Sequence, residues 1–345
     1  MRLVTWNIAW FDYLFDDEGR LRRDDGPAGL AGVGAATQAR AVAMVLRHLD
    51  ADAIMVIEAP DTRAAPVPRD TRTLLSRFAR AAGLRARRAV RGFVNDTQQE
   101  IAFLYDARAL RARHAPAGRR SPEARAPRFD GAFHPDPARL PEGPDAPQRV
   151  VFSKPPLELA VTTAAGRRLT LIGVHIKSKA PHGATSPEDA LRRAARNARA
   201  QIAQALWLRA RIEAHLDQRQ PLIVLGDLND GPGLDRHEAR LGLSTVEVVM
   251  GEHGPPDRRL YDPHARAVLD GRPGPVSARF IRPDLTEDPS GLLPVLLDYI
   301  LISPDLMAAH PRWTLLDPEG VADADLAAAL RLASDHYPVA LDIDL

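Results

Sequence analysis

The chain has 345 residues, of which 45% are hydrophobic and 26% are charged, and its formal net charge is +1. This composition is ordinary for a globular protein with a substantial core, and it excludes a disordered or collagen-like chain. The absence of cysteine excludes disulfides, thiolate metal sites and cysteine nucleophiles. The longest apolar stretch, residues 292–302, contains Pro294 and Asp298 and is shorter than the roughly 20 residues of a membrane span.

Residues 1–8 run directly into a strand-like pattern without a charged leader or an apolar signal core, which favours a cytoplasmic protein. Short apolar runs predict strands over residues 3–6, 53–57, 101–105, 157–163, 169–174, 222–225, 297–302 and 338–343. Apolar spacing predicts helices over residues 37–49 and 70–82. Ser186 followed by Pro187 predicts a third helix, which extends to about residue 216.

Two regions carry no periodic pattern, and we interpret both as loop insertions in a single domain of residues 1–345. Residues 114–149 contain eight prolines, and residues 231–294 are rich in Gly, Pro, Asp and Arg. The remaining strands and helices include several directly adjacent strand pairs. This order favours stacked sheets with helices outside over a simple alternation of strands and helices.

The positive charges are distributed unevenly along the chain. Residues 77–128 contain thirteen arginines against four acidic residues, a surplus that is typical either of a surface for a polyanion or of ordinary solvated helices and loops. Lysine is rare, with only Lys154, Lys177 and Lys179 beside forty-three arginines. Two of these three lysines follow directly after His175.

Polar side chains stand where the predicted strands end or begin. The set comprises Asn7, Glu58, Glu100, His175, Asp227, Asn229, Asp298, Asp335 and His336. Taken singly, such residues are most often turn or solvated residues, but together they predict one cluster at a sheet edge. Asp298 lies within an apolar run and requires a cationic partner if it is buried. Carboxylate and amide oxygens without thiolates suit Mg²⁺, with Mn²⁺ as a substitute.

Five short motifs that contain most of these polar residues occur in the order seen in one known superfamily. They are Thr5-Trp6-Asn7, Glu58, Gly226-Asp227-Leu228-Asn229, Leu297-Asp298-Tyr299-Ile300 and Ser334-Asp335-His336-Tyr337-Pro338-Val339. In these the chain resembles the endonuclease/exonuclease/phosphatase superfamily, which includes deoxyribonucleases, abasic-site endonucleases, inositol polyphosphate phosphatases and neutral sphingomyelinases. The resemblance implies an α/β (α+β) four-layered sandwich, with two packed β-sheets flanked by helices and a Mg²⁺-dependent site at one edge.

The resemblance also implies roles for individual residues. Glu58 is the principal metal ligand, with Asn7 and Asp335 beside it. Asp227 orients or deprotonates the attacking water, and Asn229 contacts the phosphoryl oxygens. His336, oriented by Asp298, forms a second proton-handling pair, and the choice of general base between Asp227 and this pair stays open.

His175 and Glu100 resemble a histidine and glutamate pair of the deoxyribonuclease-like members. Lys177 and Lys179, which flank this strand end, are expected to contact substrate phosphates. A stripe on the third helix, formed by Arg193, Asn197 and Gln201, is interpreted as solvated. The Trp-Cys-Asp signature that is typical of inositol polyphosphate phosphatases is absent at Asp298, where Leu296 and Leu297 precede the aspartate. This absence disfavours that branch of the superfamily.

The sequence therefore predicts a metal-dependent phosphodiesterase, and specifically a nuclease that hydrolyses DNA, with RNA as the alternative nucleic acid. The alternatives are a hydrolase of small or lipid phosphoesters, such as a phosphatase or a sphingomyelinase-like enzyme, and a catalytically dead module that binds nucleic acid. Retention of all the acidic and histidine motifs disfavours the inactive module. No membrane partner is expected, because the segment 231–294 contains few aromatic residues.

Overall fold

The structure is a computed structural model that describes residues 1–345 except 65, 96, 98, 117–151, 236, 237, 243 and 283–285. The predicted insertion at 114–149 thus lies almost wholly outside the described residues. The described strands are β1 Arg2–Asn7, β2 Ala53–Ala59, β3 Arg88–Arg91, β4 Glu100–Tyr105, β5 Leu110–His114, β6 Leu157–Thr163, β7 Arg168–His175, β8 Leu222–Asp227, β9 Ala278–Ile281, β10 Leu292–Val295, β11 Asp298–Ile302, β12 Arg312–Leu315 and β13 Val339–Asp342. The described α-helices are α1 Ala35–Leu49, α2 Thr71–Ala81, α3 Pro187–Asp217, α4 Glu238–Leu241, α5 Thr245–Met250, α6 Pro263–Leu269 and α7 Ala324–Ala333.

Eleven of the described strands form two large sheets. The first has the order β12-β13-β1-β2-β4-β3, and the second has the order β11-β8-β7-β6-β5. Apolar side chains from both sheets, such as Leu3, Met55, Leu171 and Ile223, form one buried cluster between them. At Gly173 an added Cβ would lie 2.4 Å from Met55 Sδ, so this glycine permits the two sheets to approach closely.

Helices cover the outer face of each sheet. Alternate residues of β2 point away from the second sheet, so that Ile54 and Val56 pack with Leu46 of α1 and Phe78 of α2. On the other side, helices α3 and α5 pack on the outer face of the second sheet. There Leu208 of α3 and Val246 of α5 belong to one buried apolar cluster with Val224 of β8. Four layers result, and the α/β sandwich predicted from the sequence is confirmed.

The topology brings the ends of several strands to one edge. Strands β1 and β2 are parallel, as are β7 and β8, so their carboxyl ends carry Asn7, Glu58, His175 and Asp227. Strand β11 is antiparallel to β8 and begins with Asp298 directly opposite Asp227. A hydrogen bond of 3.1 Å from Asn7 Nδ2 to Asp227 Oδ2 joins the edges of the two sheets.

Several elements lie where the sequence predicts none. The prediction contains neither the edge strands β3, β5 and β12 nor the helix α7. These three strands are short and carry arginine among their apolar residues. The segment 231–294 contains α4, α5, α6, β9 and the first residues of β10, and β9 pairs with β10. Among the described residues, no helix combines the length and the apolarity needed to cross a membrane.

Candidate active site

A β-bulge presents Glu58 to the edge of the first sheet. The pairing of β2 with β4 shifts register between Ile57 and Ala59, and Glu58 has a positive φ of 60°. Bulges of this kind redirect a side chain and are frequent beside active sites. Burial raises the pKa of the Glu58 carboxyl, while a 2.9 Å hydrogen bond from the backbone N–H of Trp10 and nearby positive charges oppose that rise.

Asn7 and Asp335 lie on the segments next to this glutamate. Asn7 pairs with Ile57, the residue before Glu58. Asp335 Oδ1 lies 3.5 Å from Ser334 Oγ, which donates to the backbone oxygen of Asn7. The negative charge of Asp335 is one of the causes that raise the pKa of Glu58, so the two carboxyl groups are electrostatic neighbours. Asn7 Oδ1 is buried and has no hydrogen-bond partner among the described residues, whereas its Nδ2 donates to Asp227. An orphaned amide oxygen beside two carboxyl groups fits a hard divalent cation such as Mg²⁺.

His336 is held between two buried aspartates. Its Nδ1 lies 2.8 Å from Asp298 Oδ2, and its Nε2 lies 4.0 Å from Asp227 Oδ2. Burial alone would lower the pKa of the His336 imidazole, but the charges of Asp298 and Asp227 outweigh it and raise that pKa. Burial raises the pKa of Asp227, against the positive charge of His336. Asp298 thus has the cationic partner that its burial requires.

Ser277, which the sequence analysis missed, supports this pair. Its hydroxyl donates to Asp298 Oδ2 at 2.9 Å, and it accepts the backbone N–H groups of Leu297 and Asp298. An isolated bridge between Ala278 and His336 fixes the start of β9 against the same site. No motif around Ser277 points to this role, because the contact depends on the pairing of β9 with β10.

His175 contacts a lysine that the sequence analysis noted but did not assign. Lys154 Nζ lies 3.3 Å from His175 Nε2, which is also 3.6 Å from Asp227 Oδ2. Burial and the charge of Lys154 lower the pKa of His175, while burial lowers the pKa of Lys154 itself. Because an ammonium group only donates, Nε2 of a neutral His175 is the acceptor. The rarity of lysine in the chain was the available signal.

Asn229 occupies a tight turn after β8. It has a positive φ of 51°, which asparagine tolerates better than most residues. Its backbone N–H donates to Asp227 Oδ1 at 2.7 Å, and its Nδ2 donates to the backbone oxygen of Ile176 at 3.0 Å. The turn therefore holds Asp227 and the amide of Asn229 in one fixed arrangement.

The polar stripe on α3 stabilises the same turn. Gln201 Nε2 donates to the backbone oxygen of Asn229 at 2.9 Å, and Asn197 Nδ2 donates to that of Ala180 at 2.9 Å. Both side chains are buried. The prediction that this stripe is solvated is wrong for Asn197 and Gln201, because the loops beside the site present backbone carbonyls that need donors.

The two loop lysines have different surroundings. Lys177 follows His175 by two residues, and its backbone N–H donates to Gln204 Oε1 at 2.9 Å. The charge of Lys177 is one of the causes that lower the pKa of Lys154. Lys179 Nζ instead lies within 2.9 Å of the carboxylates of Asp230, Asp235 and Glu238. Burial alone would lower the pKa of Lys179, but the contacts with these three carboxylates outweigh it and raise that pKa. The structure thus gives Lys179 a role in holding the loop after Asn229.

The model of the Endonuclease/Exonuclease/phosphatase family matches residues 4–336 of the chain. The chain belongs to this family. Members of the family generally use a divalent metal, and the ligand atoms of Asp227, Asp298 and His336 lie within 4.8 Å of one another. No curated protein matches the sequence.

Solved structures of family enzymes share the fold. The chain is similar to a 3′ phosphatase, NExo, from Neisseria bound to product DNA hairpin, with 16% identity, a TM-score of 0.50 and coverage of 100% of both chains. It is similar to truncated Caenorhabditis elegans TDP2, with 13% identity, a TM-score of 0.51 and coverage of 100% of this chain and 97% of that one. An AP endonuclease from Archaeoglobus fulgidus has 10% identity, a TM-score of 0.50 and coverage of 100% of both chains.

The pairing of Glu100 with His175 that the resemblance implied is not formed. The carboxylate of Glu100 accepts hydrogen bonds from the backbone N–H and the side chain of Asn95, at 3.4 and 3.0 Å. His175 contacts Lys154 and Asp227 instead, and its Nδ1 has no hydrogen-bond partner in the described part of the chain. The structure therefore places Glu100 beside the site without bringing it to the imidazole.

Glu100 predicts a pH-dependent stability. Burial, together with the nearby charge of Asp61, raises its pKa from 4.5 to about 7. Between these values the folded state keeps a proton that the unfolded state releases, so stability falls as pH rises and levels off above about pH 8. The full loss corresponds to about 3 kcal/mol. We expect Glu100→Gln to be more stable than the wild type by a margin that grows across this interval.

Urea denaturation at pH 5, 6, 7 and 8 measures this margin. The matched control is Glu287→Gln, which changes an exposed glutamate and should keep the pH dependence of the wild type. A constant difference between Glu100→Gln and the wild type at all four pH values would contradict the proposed burial of this charge.

Part of the arginine-rich stretch lies away from the site. A cavity of about 350 Å³ beside Tyr105 is lined by Arg85, Arg87, Arg88 and Arg108. Tyr105 ends β4, whereas Glu100 begins it. The cavity therefore lies at the opposite end of the strand from the sheet edge that carries the candidate site. Residues 117–128 of the stretch lie outside the described residues. A role for these arginines in holding nucleic acid stays a prediction.

Proposed function

We propose that the chain is a metal-dependent phosphodiesterase that hydrolyses nucleic acid, with DNA as the favoured substrate. The observation that carries this proposal is the arrangement of Asp227 between the amide of Asn7 and the imidazole of His336. Hydrolysis of a phosphodiester needs an aligned water, donors to the phosphoryl oxygens and compensation of negative charge. The edge of the two sheets offers groups for each of these tasks.

Glu58, Asn7 and Asp335 would hold the cation, and Mg²⁺ suits their oxygen atoms. When bound, a divalent cation neutralises charge on the phosphoryl oxygens. The fit rests on the orphaned Oδ1 of Asn7 and on the proximity of the two carboxyl groups. A backbone hydrogen bond from Trp10 orients the carboxylate of Glu58.

Asp227 is proposed to align the attacking water and to accept its proton. Its carboxylate is fixed by donors from Asn7 and Asn229, so little reorganisation is needed during the reaction. His336, held at Nδ1 by Asp298, directs Nε2 toward the same carboxylate and is placed to donate to a phosphoryl oxygen. This assignment makes Asp227 the general base.

Lys154 and Lys177 are proposed to bind the phosphate, while His175 accepts a hydrogen bond from Lys154 and Asn229 fixes Asp227. Lys154 supplies a positive charge at His175, and Lys177 lies near Lys154. Both lysines act as point charges toward anionic oxygens. The similar enzymes named above include a 3′ phosphatase bound to a DNA hairpin and an AP endonuclease, which supports DNA as the substrate class.

Cleavage of supercoiled plasmid DNA tests the proposal. We expect nicking in the presence of MgCl₂ and none with EDTA. A 3′-phosphorylated oligonucleotide and an RNA of the same sequence separate phosphatase and ribonuclease activity from DNA cleavage. If the folded protein leaves plasmid and oligonucleotide intact but releases phosphate from a small phosphoester, the nucleic-acid proposal is wrong.

A further inference from the structure

Two neighbouring aromatic residues are exposed on the segment that follows β1. Trp10 is 37% exposed and Tyr13 is 45% exposed. Their ring centroids are 5.6 Å apart and the rings are tilted by 48°. Two adjacent exposed aromatic rings leave apolar surface in contact with water, and such surface is typical of binding sites.

The pair is attached directly to catalytic elements. The backbone N–H of Trp10 donates to Glu58 Oε2 at 2.9 Å, so the residue lies within one hydrogen bond of the proposed metal ligand. The preceding residue, Ala9, donates its N–H to Ser334 Oγ at 3.0 Å, and Ser334 in turn donates to the backbone oxygen of Asn7. The position of the Trp10 backbone is therefore set by the site.

The conformation of Trp10 is unusual for a bulky residue. Its φ is 52° and its ψ is 47°, in the left-handed region that favours glycine and asparagine. A backbone segment packs directly against its Cβ, because an added Cβ at Gly29 would lie 2.0 Å from the Trp10 Cβ. Glycine at position 29 is thus required for Trp10 to occupy this position.

The other tryptophans are used differently. Trp6 donates its indole N–H to the backbone oxygen of His336 at 2.9 Å, and Trp313 donates to that of Ile300 at 2.8 Å. Trp207 is 3% exposed and packs in the core. Trp10 is the most exposed of the four. Core packing accounts for three of the tryptophans and leaves Trp10 unexplained.

We propose that Trp10, with Tyr13 beside it, is a stacking platform for an unpaired base next to the scissile phosphate. This inference rests on the proposed function and names the substrate class as nucleic acid with a single-stranded or frayed segment. A base within an intact duplex is already stacked on its neighbours, whereas an unpaired base offers its face to an aromatic side chain. The platform is tolerant of sequence, because every base has a π-face.

Binding of two oligonucleotides of equal length tests the platform without turnover. One is oligothymidylate, and the other is an abasic-sugar oligonucleotide with the same phosphates but no bases. Both are titrated in EDTA, with tryptophan fluorescence as the readout. We expect the wild type to bind oligothymidylate about 10-fold more tightly and to lose fluorescence on binding.

Trp10→Asn and Trp10→Phe isolate the ring. Asparagine tolerates the left-handed backbone, so Trp10→Asn removes the ring with little change in the turn, and it should bind both oligonucleotides alike. Trp10→Phe should keep most of the preference for oligothymidylate. Trp313→Phe is the matched control, which removes a tryptophan elsewhere and should keep both the preference and the loss of fluorescence.

Equal affinity of the wild type for the two oligonucleotides, or an unchanged preference in Trp10→Asn, would overturn the platform. If the wild type still cleaves DNA in that case, the proposed function stands and only the platform fails. If neither oligonucleotide binds and no nucleic acid is cleaved, the proposed function fails together with the platform.

Discussion

Replacement of His336 by glutamine is expected to lower kcat for phosphodiester hydrolysis by about 10²–10⁴-fold. The imidazole is the group that connects the two buried aspartates of the site, through 2.8 Å to Asp298 and 4.0 Å to Asp227. Glutamine keeps a polar side chain but cannot carry the positive charge that compensates these carboxylates. The loss should fall mainly on kcat, because the proposed role of His336 is at the reacting phosphoryl group rather than at distant parts of the substrate.

Steady-state kinetics on a defined oligonucleotide measures this effect, together with the melting temperature of each variant. His310→Gln is the matched control, because His310 is exposed and pairs with Asp344 at the surface. The control should keep the wild-type kcat. A folded His336→Gln variant with kcat within a factor of about 3 of the wild type would remove this histidine from the proposed mechanism, since general acid–base groups contribute at least about 10²-fold.

Replacement of Arg211 by methionine is expected to destabilise the protein by about 3–5 kcal/mol. Arg211 on α3 binds Glu158 on β6 through two hydrogen bonds, of which that from Nε to Oε1 is 2.7 Å. Both side chains are buried, with 2% and 5% of their surfaces exposed. Removal of the guanidinium leaves the carboxylate in the interior without its main partner, which costs far more than the loss of a surface ion pair.

Urea denaturation measures this loss, and a double variant identifies its cause. In Glu158→Leu/Arg211→Met the buried charge is removed together with its partner, so much of the stability should return. Arg196→Met on the exposed face of the same helix is the matched control and should change stability by less than about 0.5 kcal/mol. If the double variant is no more stable than Arg211→Met, lost packing rather than an unpaired charge explains the effect.

The sequence predicts the central strands and the long helices because their patterns follow from burial. Residues 53–57 form a continuous apolar run, as expected for a strand covered on both faces. The edge strands β3, β5 and β12 have only one covered face or a free edge, and arginine occupies their open positions. Their existence depends on pairing with distant strands, which local patterns do not report.

The site divides in the same way. Residues at the ends of strands, such as Asn7, Asp227 and His336, could be predicted because chain order and strand direction bring them to one edge. Lys154 lies outside the strands, and Ser277 reaches Asp298 through the β9 hairpin, so their roles required the tertiary structure. The orientation of Glu100 also depends on local hydrogen bonds that the resemblance did not specify.

The close approach of the sheets at Gly173 has a consequence for substitutions in the interior. One sheet carries Asn7 and Glu58, and the other carries His175 and Asp227, so neither sheet contains all of the candidate site. Side chains between the sheets, such as Met55, set the separation between the two halves. A change of side-chain volume there is therefore expected to alter the spacing of the polar groups at the edge, although the changed residue belongs to none of the site motifs.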